Sequence, residues 1–176
     1  LESDRRQNRR DRSGGEAKMK TFFFSAFFVL AAAGLFLTTC ASAASDFSGT
    51  WSLNVSKSKN IGMMSTMQIT LKIKQTETEL VVSEVAKFNG QEQSRELHYD
   101  LSGRESANTG PMGDPNQTVT KWTGSALETA WTQEGAVAGT KVVRIETRSV
   151  SADGKTMSDA FVRGSNPPMV LVFDKQ

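Results

Sequence analysis

The sequence predicts an all-β chain folded as a single antiparallel up-and-down barrel of about eight or nine strands, after an N-terminal signal helix. Three observations predict it. Turn residues recur at short intervals from Gly49 to Gln176. Between them, apolar and polar side chains alternate with the period of two that a strand requires. No stretch there repeats apolar residues at helical spacing. A meander of consecutive strands leaves two exposed edges, and closure into a barrel satisfies both. An open sandwich is also compatible with the strand number.

The N-terminus decides which residues count toward that domain. Residues 1–18 are polar, with Arg5, Arg6, Arg9, Arg10 and Arg12 among them. They contain no apolar run able to join a core, so they read as disordered or as a start assigned too early. Met19 and Lys20 then open a short positive stretch, Phe22 to Leu37 is almost wholly apolar, and Ala41-Ser42-Ala43 has the small-x-small form cut by signal peptidase. The apolar run falls short of the roughly 20 residues that span a bilayer, which favours a cleaved signal peptide over 19–43. The working domain is then 44–176, and its expected location is periplasmic or extracellular.

Removing that leader changes the chemistry available. Leu1 to Ala43 holds 7 of the 21 Lys and Arg and 4 of the 19 Asp and Glu, so the remainder nets −1. Such a domain has no overall positive field for nucleic acid. The only cysteine, Cys40, also lies in the leader, which excludes disulfides, thiolate nucleophiles and Cys-type metal sites from the domain. Membrane attachment would require a retained leader or a lipidated Cys40, and Thr39 departs from the residue that normally precedes a lipidated cysteine.

Element by element, the first strand is expected at Gly49 to Asn54. Met67, Ile69, Leu71 and Ile73 alternate with Gln68, Thr70, Lys72 and Lys74, the cleanest strand in the chain. Leu80 to Phe88 follows, and Asn89-Gly90 supplies the positive φ angles of a tight hairpin. Arg95 to Leu101 puts Leu97, Tyr99 and Leu101 on one face and Glu96, His98 and Asp100 on the other. Ser102 to Asn116, with three glycines and two prolines, reads as one long loop. Gln117 to Thr123 and Ala126 to Gln133 flank Gly124-Ser125, with Trp122, Leu127 and Trp131 inward. Lys141 to Val150 places Val143 and Ile145 on one face and Arg144, Glu146 and Arg148 on the other. Asp153-Gly154 makes the next hairpin, Lys155 to Arg163 returns, and Met169 to Asp174 closes the series after Asn166-Pro167-Pro168.

Asp46-Phe47-Ser48-Gly49-Thr50-Trp51 resembles the opening of lipocalin-like barrels. Together with the leader, the meander and the Ser151 to Thr156 hairpin, it is similar to small exported bacterial lipocalin-like proteins of uncharacterised function. The resemblance implies that Gly49 allows a tight approach, that the Trp51 indole closes the barrel base, and that a late-strand arginine, Arg148 or Arg163, lies across it.

An eight-stranded barrel has room for one small ligand. The candidate interior is Trp51, Phe88, Tyr99, Trp122 and Trp131, and the partner is a small apolar or amphipathic molecule, although the same aromatics can simply fill the core. Met63 and Met64 are candidates for an adaptable lip. The function expected is non-enzymatic binding with no cofactor and no metal. The alternatives are an envelope-associated interaction module without a cavity, using a loop such as Ser102 to Asn116, and a carboxylate hydrolase built around Glu84. His98, the sole histidine, sits on the charged face of its strand, and no Gly-x-Ser-x-Gly elbow is present, so no nucleophile triad is implied.

Overall fold

A computed structural model describes residues 44–176; the leader and its cleavage or lipidation lie outside the described residues. The described residues form ten antiparallel strands: β1 (Gly49–Leu53), β2 (Gln68–Gln75), β3 (Glu79–Phe88), β4 (Gln91–Asp100), β5 (Glu105–Thr109), β6 (Pro115–Thr123), β7 (Ala126–Glu134), β8 (Lys141–Val150), β9 (Thr156–Val162) and β10 (Met169–Lys175). They join in one sheet ordered β4-β3-β2-β1-β10-β9-β8-β7-β6-β5. The sheet curls into a nearly closed barrel. The expected all-β meander is therefore present, with one strand more than the sequence indicates.

That extra strand is β5, inside the stretch read as a loop. Its sequence, Glu-Ser-Ala-Asn-Thr, offers no apolar alternation. It is held because every residue pairs with β6, from Glu105 opposite Val119 to Thr109 opposite Pro115. The hairpins are set by backbone chemistry. Asn89 and Gly90 take φ of 48° and 76°, the left-handed pair that a two-residue turn between twisted strands needs.

Where β4 and β5 meet, side chains replace the ladder. Asn108 Nδ2 donates to the His98 carbonyl at 2.7 Å, and the His98 N–H donates to Asn108 Oδ1 at 2.8 Å. The Asp100 N–H donates to Ser106 Oγ at 3.1 Å, and Arg95 Nη1 donates to the Thr109 carbonyl at 3.2 Å. Four backbone groups along the two sheet edges are thus satisfied without direct strand pairing.

The base of the barrel is dry. Trp51 and Phe47 are fully buried, and Trp51 Nε1 donates to the Phe47 carbonyl at 2.8 Å, which gives the indole a polar partner where no water reaches. The Phe47 N–H donates to Gln75 Oε1 at 2.9 Å, tying the segment ahead of β1 beneath the sheet. Phe47 also packs on Trp122 with ring centroids 6.1 Å apart. The cation over Trp51 is Lys175, with Nζ 5.1 Å from the ring, and neither Arg148 nor Arg163. Gly49 is required by its backbone: φ of 132° is a conformation that side-chain-bearing residues rarely adopt, and an added Cβ would also displace the flexible end of Lys175, 2.8 Å away.

Candidate functional site: a cavity with one charged wall

Above the Trp51 base the barrel encloses a cavity of about 120 Å³. One wall is largely apolar, with Leu71 from β2, Val82 from β3, Leu97 from β4 and Leu171 from β10, and is interrupted by Tyr99 and by Glu84 with Arg95. Met64, in the single turn of 3-10 helix at Gly62–Thr66, and Pro111, in the β5-β6 loop, lie at the mouth. Both belong to loops at the end of the barrel opposite Trp51.

The facing wall is built from β7, β8 and β9 and carries charge. Strand β8 turns its polar face inward: Glu146 and Arg148 are 2% and 5% exposed, while Val143 on the other face is 50% exposed. Arg148 stands opposite Asp159 of β9. Arg148 Nη2 donates to Asp159 Oδ2 at 2.8 Å and to Glu146 Oε1 at 2.6 Å, and its Nε donates to both Asp159 oxygens at 3.0 and 3.1 Å. Trp131 Nε1 donates to Glu146 Oε2 at 2.5 Å. Every acceptor in this cluster has a donor, the condition under which charges survive burial.

Two carboxylates nonetheless share one guanidinium. Burial, and then the charge of neighbouring Asp159, push the Glu146 carboxyl up to about 8 against the pull of Arg148. Burial works against the charge on Arg148, but Asp159 and then Glu146 hold it firmly protonated. Burial, followed by the charge of Glu146, raises the Tyr99 phenol well above its ordinary value, so it remains neutral.

Two polar atoms at the cavity are left over. Among the described residues, Tyr99 Oη and Arg144 Nε are the buried side-chain polar atoms without a hydrogen-bond partner. The Arg144 guanidinium lies between two rings, 5.0 Å from the centroid of Trp131 and 5.3 Å from that of Phe161. Tyr99 meets Trp131 edge-on with centroids 5.9 Å apart. Glu84 is also inward, but it is engaged by Arg95 through a two-point fork of 2.9 and 2.8 Å, a closed arrangement with no free carboxylate for hydrolysis. It pairs with neither Arg144 nor Arg148.

The aromatics singled out from the sequence separate into three groups. Tyr99 and Trp131 line the cavity. Trp51 and Trp122 pack at the base and do not reach it. Phe88 corrects the expectation: at the end of β3, beside the Asn89-Gly90 turn, it is 40% exposed and outside the interior. Arg163 lies exposed in the loop after β9. Met63 is exposed, and its neighbour Met64 turns toward the cavity. His98 points outward, between Glu79 at 3.0 Å and Glu96 at 3.1 Å. Among the described residues, no three His, Cys, Asp or Glu converge as metal ligands.

Sequence reading passed over Arg144, Glu146 and Asp159 as site residues. A signal was present. The Asp153-Gly154 turn fixes the β8-β9 register, Val150 opposite Met157 and Arg148 opposite Asp159. A directly opposed Arg-Asp pair, with a second acid two residues along, is what an inward charge cluster looks like before folding.

No family model and no curated protein sequence matches the chain. Solved structures do. The REP1-NXSQ fatty acid transporter superimposes with a TM-score of 0.59 at 18% identity, covering 76% of this chain and 98% of that one. An Echinococcus granulosus fatty-acid-binding protein gives 0.56 at 14%, covering 73% and 96%. A Schistosoma mansoni fatty acid binding protein in complex with arachidonic acid gives 0.56 at 16%, covering 77% and 98%. At such identities the likeness is one of fold. Residues 44–176 have the fold of the fatty-acid-binding-protein-like barrels, within the lipocalin-like architecture that the Gly49-Thr50-Trp51 opening suggested.

Proposed function

We propose that this protein is an exported, non-enzymatic binding module for a small amphipathic ligand, held in the upper half of the barrel. The observation that carries the reading is a cavity that is apolar over much of its lining and has among its lining residues two with a buried polar atom that lacks a partner, Tyr99 Oη and Arg144 Nε. A buried donor left unpaired costs about 1–3 kcal/mol, and a polar ligand group that reaches either atom removes that part of the cost. The hydrocarbon part of the ligand would lie on Leu71, Val82, Leu97 and Leu171. Fatty-acid-binding neighbours of the same fold support the apolar half of this reading.

Trp131 sits in the cavity wall and reports on it. Titration with pentanol and pentanoate, which match the volume of the space, is expected to change its fluorescence saturably, and Val82→Phe, which fills the space, is expected to abolish the change. Fluorescence that responds to neither compound would sink the reading. Export rests on the leader alone; an intact mass beginning at Ala44 in secreted material supports it, and a mass retaining residues 19–43 opposes it.

One observation favours a second reading, an envelope-associated interaction module. Val119, Ala130, Ile145 and Val162 stand in one register row across β6 to β9 on the outward face, with Val119 and Val162 exposed. Exposed apolar rows of this kind are a common feature of contact surfaces. A partner lost on Ile145→Lys, with ligand binding unchanged, would favour it.

A further inference from the structure

The cavity lining contains seven ionisable side chains: Glu84, Arg95, Tyr99, Arg144, Glu146, Arg148 and Asp159. Their charges can be paired off by geometry. Glu84 and Arg95 cancel through their fork. Arg148 and Asp159 cancel through three contacts of 2.8 to 3.1 Å. What remains is Glu146 and Arg144, two residues apart on the inner face of β8.

These two do not pair with each other. Trp131 of β7 intervenes: its ring face carries the Arg144 guanidinium, and its N–H is bonded to Glu146. Glu146 has only one guanidinium within reach, and Asp159 of β9 already holds it. Tyr99 and Arg95 approach from β4 and Glu84 from β3, while β2 and β10 present only apolar side chains to the cavity. Glu146 is therefore a surplus carboxylate, and Arg144 a cation with no counter-ion among the described residues.

The balance then turns on one proton. With Glu146 ionised, the interior sums to zero; with Glu146 protonated, it carries one positive charge, centred on Arg144. We propose that the cavity takes a monoanionic amphiphile and that the ligand's charge is balanced by a proton taken up on Glu146, so that anion capture and proton uptake form a single equilibrium. This rests on the amphiphile-binding reading above and goes beyond it in fixing the ligand's charge and its dependence on pH.

The carboxyl of Glu146, pushed up to about 8, sets the range. Below that value the site is protonated and ready for an anion. Above it, each bound anion must bring a proton from solution, and affinity falls by up to tenfold per pH unit. Tyr99 stays neutral throughout, and His98 lies on the outer surface with its own carboxylates.

The test is isothermal titration of the protein with pentanesulfonate, whose charge does not change with pH, and with pentanol as its neutral counterpart. Between pH 6 and pH 9.5, pentanesulfonate affinity is expected to fall at least tenfold while pentanol affinity stays level. Repeating the titration in buffers of different ionisation heat counts the protons: close to none at pH 6, and approaching one per ligand near pH 9. Glu146→Gln, permanently neutral, is expected to bind pentanesulfonate as tightly at pH 9.5 as at pH 6. Equal pentanesulfonate affinity at both ends of the range, or binding without proton uptake near pH 9, overturns the proposal and leaves amphiphile binding standing. Binding of neither compound overturns both. Should Glu146→Gln fail to fold, the proton count on the unaltered protein decides.

Discussion

Strands β1 to β4 and β10 turn Trp51, Ile69, Leu71, Ile73, Leu80, Val82, Leu97, Leu171 and Phe173 inward, whereas β5 to β9 supply every buried polar or charged side chain among the described residues: Asn108, Asn116, Thr118, Thr120, Thr129, Glu146, Arg148 and Asp159. The first wall is held by apolar burial, which is non-directional and tolerant of shape. The second is held by hydrogen bonds that must each find a partner, such as the 2.9 Å contact between the Thr120 and Thr129 hydroxyls. The difference shows how one barrel can offer a ligand both a hydrocarbon surface and an ionic one. It also means that the two walls should break in different ways.

The largest effect is expected from Arg148→Met. It leaves the Glu146 and Asp159 carboxylates buried without their shared guanidinium, a situation that typically costs about 3–5 kcal/mol. Urea denaturation should show the loss. Replacing the whole cluster, with Glu146→Leu and Asp159→Leu added to Arg148→Met, should restore most of it, because three apolar side chains leave no charge to compensate. A triple variant no more stable than the single one would mean that the cluster is needed to position the wall and is not simply a balanced set of charges.

On the apolar wall the contrast is between the dry base and the cavity. Leu80 is fully buried below the cavity, and Leu71 lines it. Truncating a buried leucine costs about 2–5 kcal/mol, rising with the void left behind. Leu80→Ala should fall near the top of that range by chemical denaturation. Leu71→Ala should fall near the bottom, since part of its surface already faces open space. Equal losses would mean that the upper half is as tightly packed as the lower.

A smaller loss, about 1–2 kcal/mol, is expected for Asn108→Ala, which takes both the donor and the acceptor away from the His98 backbone at the β4-β5 seam. Its diagnostic is local. Amide exchange at His98 should accelerate while exchange on β2 and β10 is unchanged, because only the seam depends on side chains for closure.

How far the sequence exposes each wall follows from the same contrast. Alternation reports that a strand has two faces, and the apolar face goes inward only when the opposite wall is also apolar. That held for Ile69-x-Leu71-x-Ile73 on β2 and for Leu97-x-Tyr99 on β4, whose inward sides were legible. It fails on β6 and β8, where Thr118, Thr120, Glu146 and Arg148 are inside and Val119 and Val143 outside. Turn chemistry was legible at Asn89-Gly90 and Asp153-Gly154 because only a few residues accept those φ values. Strand β5 was not, because Ser106, Ala107 and Asn108 have no apolar pattern and owe their conformation to β6 and to contacts across the seam. Phe88 was misplaced for a related reason: its parity is inward, but the β3-β4 hairpin carries it to the solvent-exposed rim.

The groups that respond to pH lie on both faces of the barrel, Glu146 inside it and His98 and Asp100 on its outer surface. Glu146 has a raised value in the folded protein, about 8, against an ordinary 4.5. The folded state therefore holds a proton that the unfolded chain has released. The stability this confers is complete below about pH 4.5 and is lost as pH rises through about 8. His98, raised above 6.5 by its bond to Glu79, with burial opposing and the bond to Glu96 adding to the rise, has the same sign: its contribution is present below 6.5 and lost as pH rises past its folded value. Asp100 runs the other way, held at about 2 by hydrogen bonds from Ser102 and Arg104, so its contribution appears above 3.8 and is lost as pH falls toward 2. His98 and Asp100 lie on the outer face, where salt screens their partners, and His98→Gln should change stability by no more than about 0.5 kcal/mol. Glu146→Gln should remove most of the decline between pH 5 and 8 in a series of urea midpoints, at low salt and at 0.5 M NaCl alike. A decline that persists in Glu146→Gln but disappears in His98→Gln would place the titrating group on the outer surface and leave the charged wall fixed in one protonation state.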